Sequence, residues 1–156
     1  MEQRLVPQEY FMASGVGQSD TSVLNAFDRA LVAAGISQCN LVPVSSVLPK
    51  SAKEVKPKRI EPGQVTFVVM GKATGKSGDL VSTGVAIGYI EGGENDLIVE
   101  LDQDGGTAAV KRRLSTLLDE MANARGVTVR RTKEEVCELK ITSTYGVAVA
   151  AVVLLL

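Results

Sequence analysis

The chain has 156 residues, of which 45% are hydrophobic and 22% charged, and its formal net charge is −1. This balance is that of an ordinary globular domain and gives no indication of a nucleic-acid partner. The sequence contains no histidine, which excludes Ser-His-Asp and Cys-His nucleophilic machinery and histidine-ligated metals. Any catalysis must therefore use carboxylates, hydroxyls, amines, backbone groups or a group that the protein makes for itself.

The cysteine count and the two termini indicate the cellular compartment in which we expect the protein. Cys39 and Cys137 are too few for a disulfide framework and lack the spacing of metal ligands. Residues 1–10 contain no apolar core of a signal peptide, and the apolar run 147–156 is shorter than the ~20 residues of a membrane helix. We therefore expect a cytoplasmic protein without a metal site or membrane contact, in which the apolar run is a buried strand.

The first part of the chain predicts one helix between a loop and a strand. Residues 14–20 are rich in glycine and serine and predict a loop. Residues 22–34 predict a helix, because Ser22 can cap it, apolar residues recur on one face, and Gly35 follows as a stop. Residues 36–44 predict a strand, and a proline-containing polar loop follows.

The second part predicts strands on both sides of a longer helix. The strands are predicted at residues 64–70, 80–90, 96–101, 127–131 and 138–155, with a candidate break in the last one near Gly146. Residues 106–125 keep the spacing of a helix that ends at Gly126. Residues 71–79 predict a flexible hairpin loop, because Gly71 and Gly75 are one residue too close for a phosphate-binding P-loop.

The order of helix, strands, helix and strands predicts the fold class. We expect a single α+β domain over residues 1–156, with two packed, largely antiparallel sheets flanked by helices, an αββα sandwich. The apolar final strand should be covered on both faces. Packing of one sheet on the other, or a subunit interface, would provide that cover.

The dipeptide Ser45-Ser46 lies between a predicted strand and Pro49, and by itself such a pair is typical of a turn. The segments around it are Leu24-Asn25-Ala26-Phe27-Asp28-Arg29-Ala30-Leu31, then Ala34-Gly35-Ile36, then Asn40-Leu41, then Ser45-Ser46. In this order they resemble the amino-terminal part of the pyruvoyl-dependent arginine decarboxylases. Leu97-Ile98-Val99-Glu100 is similar to the segment with the family's catalytic glutamate, so the resemblance spans most of the chain.

The resemblance implies that the chain cleaves itself and makes its own cofactor. The Ser46 hydroxyl would attack the Ser45 carbonyl to form an ester, and β-elimination would leave dehydroalanine at position 46. Loss of ammonia would then give a pyruvoyl group at the start of an α chain, residues 46–156, beside a β chain, residues 1–45. Because an unstrained amide resists this acyl shift, we expect strain in the backbone at Ser45.

Three further residues match functional positions of the family. Asn40 would donate a hydrogen bond to the oxyanion that develops at Ser45. Glu100 would return a proton to Cα after CO2 leaves, with a pKa raised by burial. Asp28 would bind the guanidinium of the substrate. Without the resemblance, Asn40 reads as an exposed polar strand residue, Glu100 as a surface charge and Asp28 as a solvated helix residue.

The implied activity is decarboxylation of L-arginine to agmatine and CO2 through a Schiff base, feeding polyamine synthesis in a prokaryotic cytoplasm. A pyruvoyl group serves as the electron sink that decarboxylation needs. The family assembles as trimers with active sites between neighbouring subunits. Two alternatives stay open: a decarboxylase of another basic amino acid such as histidine, and an uncleaved, non-enzymatic binding domain.

Overall fold

A computed structural model describes residues 4–156. Residues 1–3, which belong to the predicted domain and to the segment searched for a signal peptide, lie outside this range. The helices of the structure are Val23–Ala34 (α1) and Thr107–Ala124 (α2). Neither helix is long and apolar enough to cross a membrane. The strands are Glu9–Ser19 (β1), Asn40–Pro43 (β2), Val47–Pro49 (β3), Lys53–Glu54 (β4), Val65–Lys76 (β5), Leu80–Glu91 (β6), Asn95–Asp104 (β7), Thr128–Lys140 (β8) and Tyr145–Leu155 (β9).

The strands form two sheets that face each other. One sheet has the order β2-β5-β9-β1-β4 and the other the order β3-β7-β6-β8. Pairing is antiparallel except between β1 and β4 and between β2 and β5. Helix α1 packs on β1 and β9, whereas α2 packs on β6, β7 and β8. The layers are therefore helix, sheet, sheet and helix, and the predicted αββα sandwich is confirmed.

Strand β9 is apolar because both of its faces are covered. Ala150 and Val152 point into the core between the sheets, and Val147 and Val149 point towards α1. All four side chains are fully buried, and burying a valine stabilises a fold by about 1.5–3 kcal/mol. The prediction of a strand covered on both faces is confirmed, with the second sheet on one face and α1 on the other.

The predicted loop at residues 14–20 is wrong, because residues 14–19 belong to β1. The glycines of this segment serve close packing instead of a turn. A Cβ on Gly15 would lie 2.3 Å from the Ala30 carbonyl oxygen, and one on Gly17 would lie 2.3 Å from that of Ala26. Helix α1 therefore rests directly on the backbone of β1, and only glycine fits beneath it.

The predicted loop at residues 71–79 is also wrong over most of its length, because β5 continues to Lys76. A Cβ on Gly71 would lie 2.3 Å from the Thr83 hydroxyl oxygen of the facing sheet, so this glycine allows the sheets to approach. The turn itself is confined to residues 77–79, where Gly78 has a φ of 95°. The interpretation as a phosphate loop is excluded, because a strand has no such loop geometry.

The remaining elements match the sequence to different degrees. Helix α1 keeps its Ser22 cap and its Gly35 stop, and α2 begins and ends within one residue of the prediction. Strand β2 is shorter than the predicted 36–44. Strand β8 also includes residues 132–137, which lie between two predicted strands. Most of these residues are polar because β8 is an edge strand with much of its surface in solvent. The short strands β3 and β4 have too few residues to show a pattern.

We predict that Gly17→Ala lowers the free energy of unfolding by about 1–3 kcal/mol, the usual cost of overpacking, because the new methyl group would push α1 away from β1. Urea unfolding, in a Ser46→Ala background that should remain a single chain, measures the effect. Val16→Ala is the matched control, since Val16 is 36% exposed. Equal loss in both variants would contradict the proposed contact.

Candidate active site

The Ser45–Ser46 bond lies where the chain crosses from one sheet to the other. The Val44 N–H donates to the Val68 carbonyl of the five-stranded sheet at 2.8 Å. The Ile98 N–H donates to the Ser46 carbonyl from the four-stranded sheet, also at 2.8 Å. Ser45 is exposed and Ser46 is half-buried. The peptide bond between them is thus held on each side by a different sheet.

The segment after Ser46 is anchored by strand pairing and by an ion pair. Strand β3 pairs with residues 95–97 of β7. The Lys50 ammonium then lies 2.7 Å from the Asp96 carboxylate and also donates to the Ile90 carbonyl. Asp96 is only 6% exposed and accepts a further bond from the Ile90 N–H at 2.8 Å. These contacts hold the segment that would begin the α chain.

Ser46 and Glu100 line the same cavity of about 440 Å³, a size within the range of small-molecule sites. The rest of its lining is Val99 of β7 and Leu117, Glu120, Met121 and Ala124 of α2. Strand β3 ends its pairing with β7 before Glu100. In the described part of the chain the cavity therefore lies at an open edge of β7, next to α2.

The surroundings of Glu100 favour its protonated form. Burial raises the pKa of the Glu100 carboxyl above its ordinary value, and the negative charge of Asp102 raises it further. A hydrogen bond to the residue's own backbone offsets part of this rise in pKa. Glu100 is exposed in the isolated chain, so its desolvation is only partial. A carboxyl that holds its proton can act as an acid towards a group at Ser46.

Asn40 lies apart from Ser45 within one chain. It begins β2, and its side-chain amide donates to the Gly63 carbonyl at 3.0 Å. Among residues 4–156 the Ser45 carbonyl accepts no hydrogen bond. An oxyanion donor for this carbonyl would have to come from a rearranged side chain or from a neighbouring subunit.

Asp28 is also separate from the cavity, since it is exposed on α1, in the outer layer opposite to α2. A single chain therefore does not bring Asp28 to Ser46. The expected strain at Ser45 has no support from φ, because no non-glycine residue of the described range has a positive φ.

Two features of the site escape prediction from sequence. Glu120 lines the cavity with Leu117, Met121 and Ala124, at the i, i+3, i+4 and i+7 spacing of one helix face. A carboxylate on this otherwise apolar helix face was the sequence signal that could have indicated Glu120 as a site residue. The ion pair of Lys50 with the buried Asp96 joins residues far apart in the chain and left no local pattern.

We predict that Lys50→Met lowers the free energy of unfolding by about 1–3 kcal/mol, because it leaves the buried Asp96 carboxylate without its cation. Urea unfolding in the Ser46→Ala background measures this change. Lys58→Met breaks the exposed pair with Glu9 and should cost less than about 1 kcal/mol. A larger loss in the Lys58 variant would contradict the anchoring role of Lys50.

Known proteins similar to this chain match most of its length. The model of the pyruvoyl-dependent arginine decarboxylase family matches residues 9–156. A pyruvoyl-dependent arginine decarboxylase of Methanopyrus kandleri is 40% identical over 121 residues, 78% of each chain. That of Thermoplasma volcanium is 34% identical over 96% of this chain and 88% of its own. Pyruvoyl-dependent arginine decarboxylase 2 of Archaeoglobus fulgidus is 33% identical over 96% of this chain and 97% of its own. The chain belongs to the pyruvoyl-dependent arginine decarboxylase family.

Proposed function

We propose that the chain cleaves itself between Ser45 and Ser46 and then decarboxylates L-arginine to agmatine and CO2. The observation that carries this proposal is the shared cavity of Ser46 and Glu100. One residue would supply the cofactor and the other the proton that replaces CO2. Family membership supports arginine as the substrate.

The cleavage uses only the serine and the backbone. The Ser46 hydroxyl oxygen attacks the Ser45 carbonyl carbon, and the C–N bond breaks as an ester forms. Loss of the Ser46 Cα proton then expels the Ser45 carboxylate and leaves dehydroalanine. Water replaces the nitrogen of its imine tautomer, ammonia leaves, and a pyruvoyl group begins the α chain. The exposed Ser45 carbonyl and the half-buried Ser46 hydroxyl suit this sequence of steps.

The surroundings of Ser46 fit a pyruvoyl group. The Ile98 N–H that donates to the Ser46 carbonyl would hold the same oxygen after cleavage, because this carbonyl becomes the amide carbonyl of the pyruvoyl group. When present, the group supplies an electron sink for the charge left at the substrate Cα. The apolar cavity wall would limit the access of water to that position once a neighbouring copy covers the open edge, and Glu100 would deliver the proton.

Strand pairing supports cleavage without loss of the fold. Residues 1–45 contribute β1 and β2, whereas residues 46–156 contribute their neighbours β4, β5 and β9. Strand β1 pairs with β9 from Glu9 to Ser19. The two chains would therefore remain interleaved in one sheet after the covalent link is lost.

A homotrimer with sites between subunits accounts for the two residues that lie apart from the cavity. Asp28 would reach the guanidinium, and Asn40 the Ser45 carbonyl, across an interface with a neighbouring copy. The open edge of β7 beside Glu100 offers a surface that such a copy could cover. We place the enzyme in the cytoplasm, in polyamine synthesis, and the free thiols of Cys39 and Cys137 suit a reducing compartment.

The substrate assignment is tested by comparing arginine, histidine, lysine and ornithine with the cleaved enzyme. We expect CO2 release from arginine in large excess over the others, because a carboxylate such as that of Asp28 makes paired hydrogen bonds to a planar guanidinium. If the enzyme decarboxylates histidine but not arginine, the assignment of arginine is wrong and the histidine alternative replaces it.

We predict that Ser46→Ala abolishes cleavage, because it removes the attacking hydroxyl. Intact-mass measurement should show a single chain of 16.5 kDa for this variant and two fragments for the unmodified chain. Ser45→Ala is the matched control and should still cleave, since only its carbonyl takes part. An unmodified chain that stays whole after long incubation would favour the non-enzymatic binding domain.

We predict that Glu100→Gln lowers kcat by roughly 10²- to 10⁴-fold, the usual contribution of a general acid, while cleavage at Ser46 proceeds. The acid is active when protonated, so kcat should fall as pH rises through the Glu100 pKa. Asp102→Asn removes a charge that raises this pKa, and should move the alkaline limb of the kcat profile to lower pH. A limb that stays in place in Asp102→Asn would contradict the assignment of Glu100.

A further inference from the structure

We propose that Glu120 of α2 binds the guanidinium of arginine in the same cavity, and in the same chain, that holds Ser46. This inference rests on the proposed function and deepens it, because it names a specificity-determining residue. Glu120 lines the cavity with Ser46 and Glu100, whereas Asp28 reaches it only from another copy.

The cavity lining combines polar and apolar side chains. Ser46 and Glu100 supply the polar groups where Cα would react. Val99, Leu117 and Met121 form an apolar wall, which suits the three methylene groups of arginine. Glu120 adds a carboxylate on the helix side of this wall.

The two cavity carboxylates lie on different elements, Glu100 on β7 and Glu120 on α2. The pKa of Glu100 is raised by burial and by Asp102, and Glu120 does not contribute to the rise. Two carboxylates in direct contact would raise the pKa of at least one of them. Glu120 on α2 is therefore not in direct contact with Glu100 on β7, and the two carboxylates can bind different groups of one substrate.

The Glu120 carboxylate forms no ion pair in the described range of residues 4–156. Acidic residues elsewhere do form such pairs. For example, Glu134 of β8 lies 3.5 Å from Lys111, which belongs to α2 as Glu120 does. A guanidinium carries five N–H donors and can bind more than one carboxylate. Glu120 from one chain and Asp28 from a neighbour can thus contact the same group.

The test measures agmatine binding by calorimetry in the uncleaved Ser46→Ala chain, which keeps the cavity and needs no cofactor. Glu120→Gln should weaken binding by roughly 10- to 100-fold, as expected for loss of a charge-assisted hydrogen bond. Asp119→Asn is the matched control, because it removes one exposed charge from the adjacent helix position outside the cavity lining. It should bind agmatine as the parent does.

A second measurement uses the cleaved enzyme. Glu120→Gln should raise the KM for arginine by the same factor with a smaller change in kcat, and Glu120→Asp should retain part of the affinity. Unchanged agmatine binding in Glu120→Gln, or an equal loss in Asp119→Asn, would overturn the inference. So would a loss of binding that coincides with dissociation of the oligomer, because Glu120 would then belong to an interface. Failure of the unmodified, cleaved enzyme to decarboxylate arginine would contradict the proposed function itself.

Discussion

The pairing of β9 with β1 on one side and β5 on the other is the interaction on which the rest of the structure depends. Each contact runs over ten or eleven residue pairs, and β9 is buried on both faces. Because β1 comes from the first part of the chain, this pairing ties the two sides of the Ser45–Ser46 bond together. A fold held this way can lose one peptide bond at its surface and keep its core.

The chain's change of sheet explains why the site lies where it does. Strand β2 ends in one sheet and β3 begins in the other, so the residues between them span the sandwich edge. Both strands are short, which leaves the edges of β5 and β7 open beyond them. Asp102 of β7 accepts a hydrogen bond from the Lys72 N–H of β5, and this contact joins the two open edges. The same carboxylate raises the pKa of Glu100. Asp102 therefore both joins the edges of β5 and β7 and affects the protonation of Glu100.

A chain without histidine can perform this chemistry because its environments differentiate groups of the same type. Ser45 is exposed and Ser46 is half-buried, so the proposed acyl donor and the proposed nucleophile have different surroundings. Glu100 is partly desolvated and lies near Asp102, whereas Glu120 lies on the helix wall of the cavity. The proposed proton donor and the proposed guanidinium ligand are therefore two glutamates in different surroundings.

Features that depend on neighbouring residues follow from local sequence alone. The Ser22 cap accepts a bond from the Asn25 N–H at 3.1 Å and Gly35 adopts a φ of 77°, so local chemistry sets the bounds of α1. The order of short motifs likewise predicted roles for Ser46 and Glu100, which the structure places in one cavity. Tertiary packing is needed to place Gly15 and Gly17 in a strand beneath α1, to bring Glu120 into the cavity, and to put Asp28 in the opposite layer. These outcomes depend on pairings such as Ser19 with Tyr145, which join distant segments and leave no local pattern in the chain.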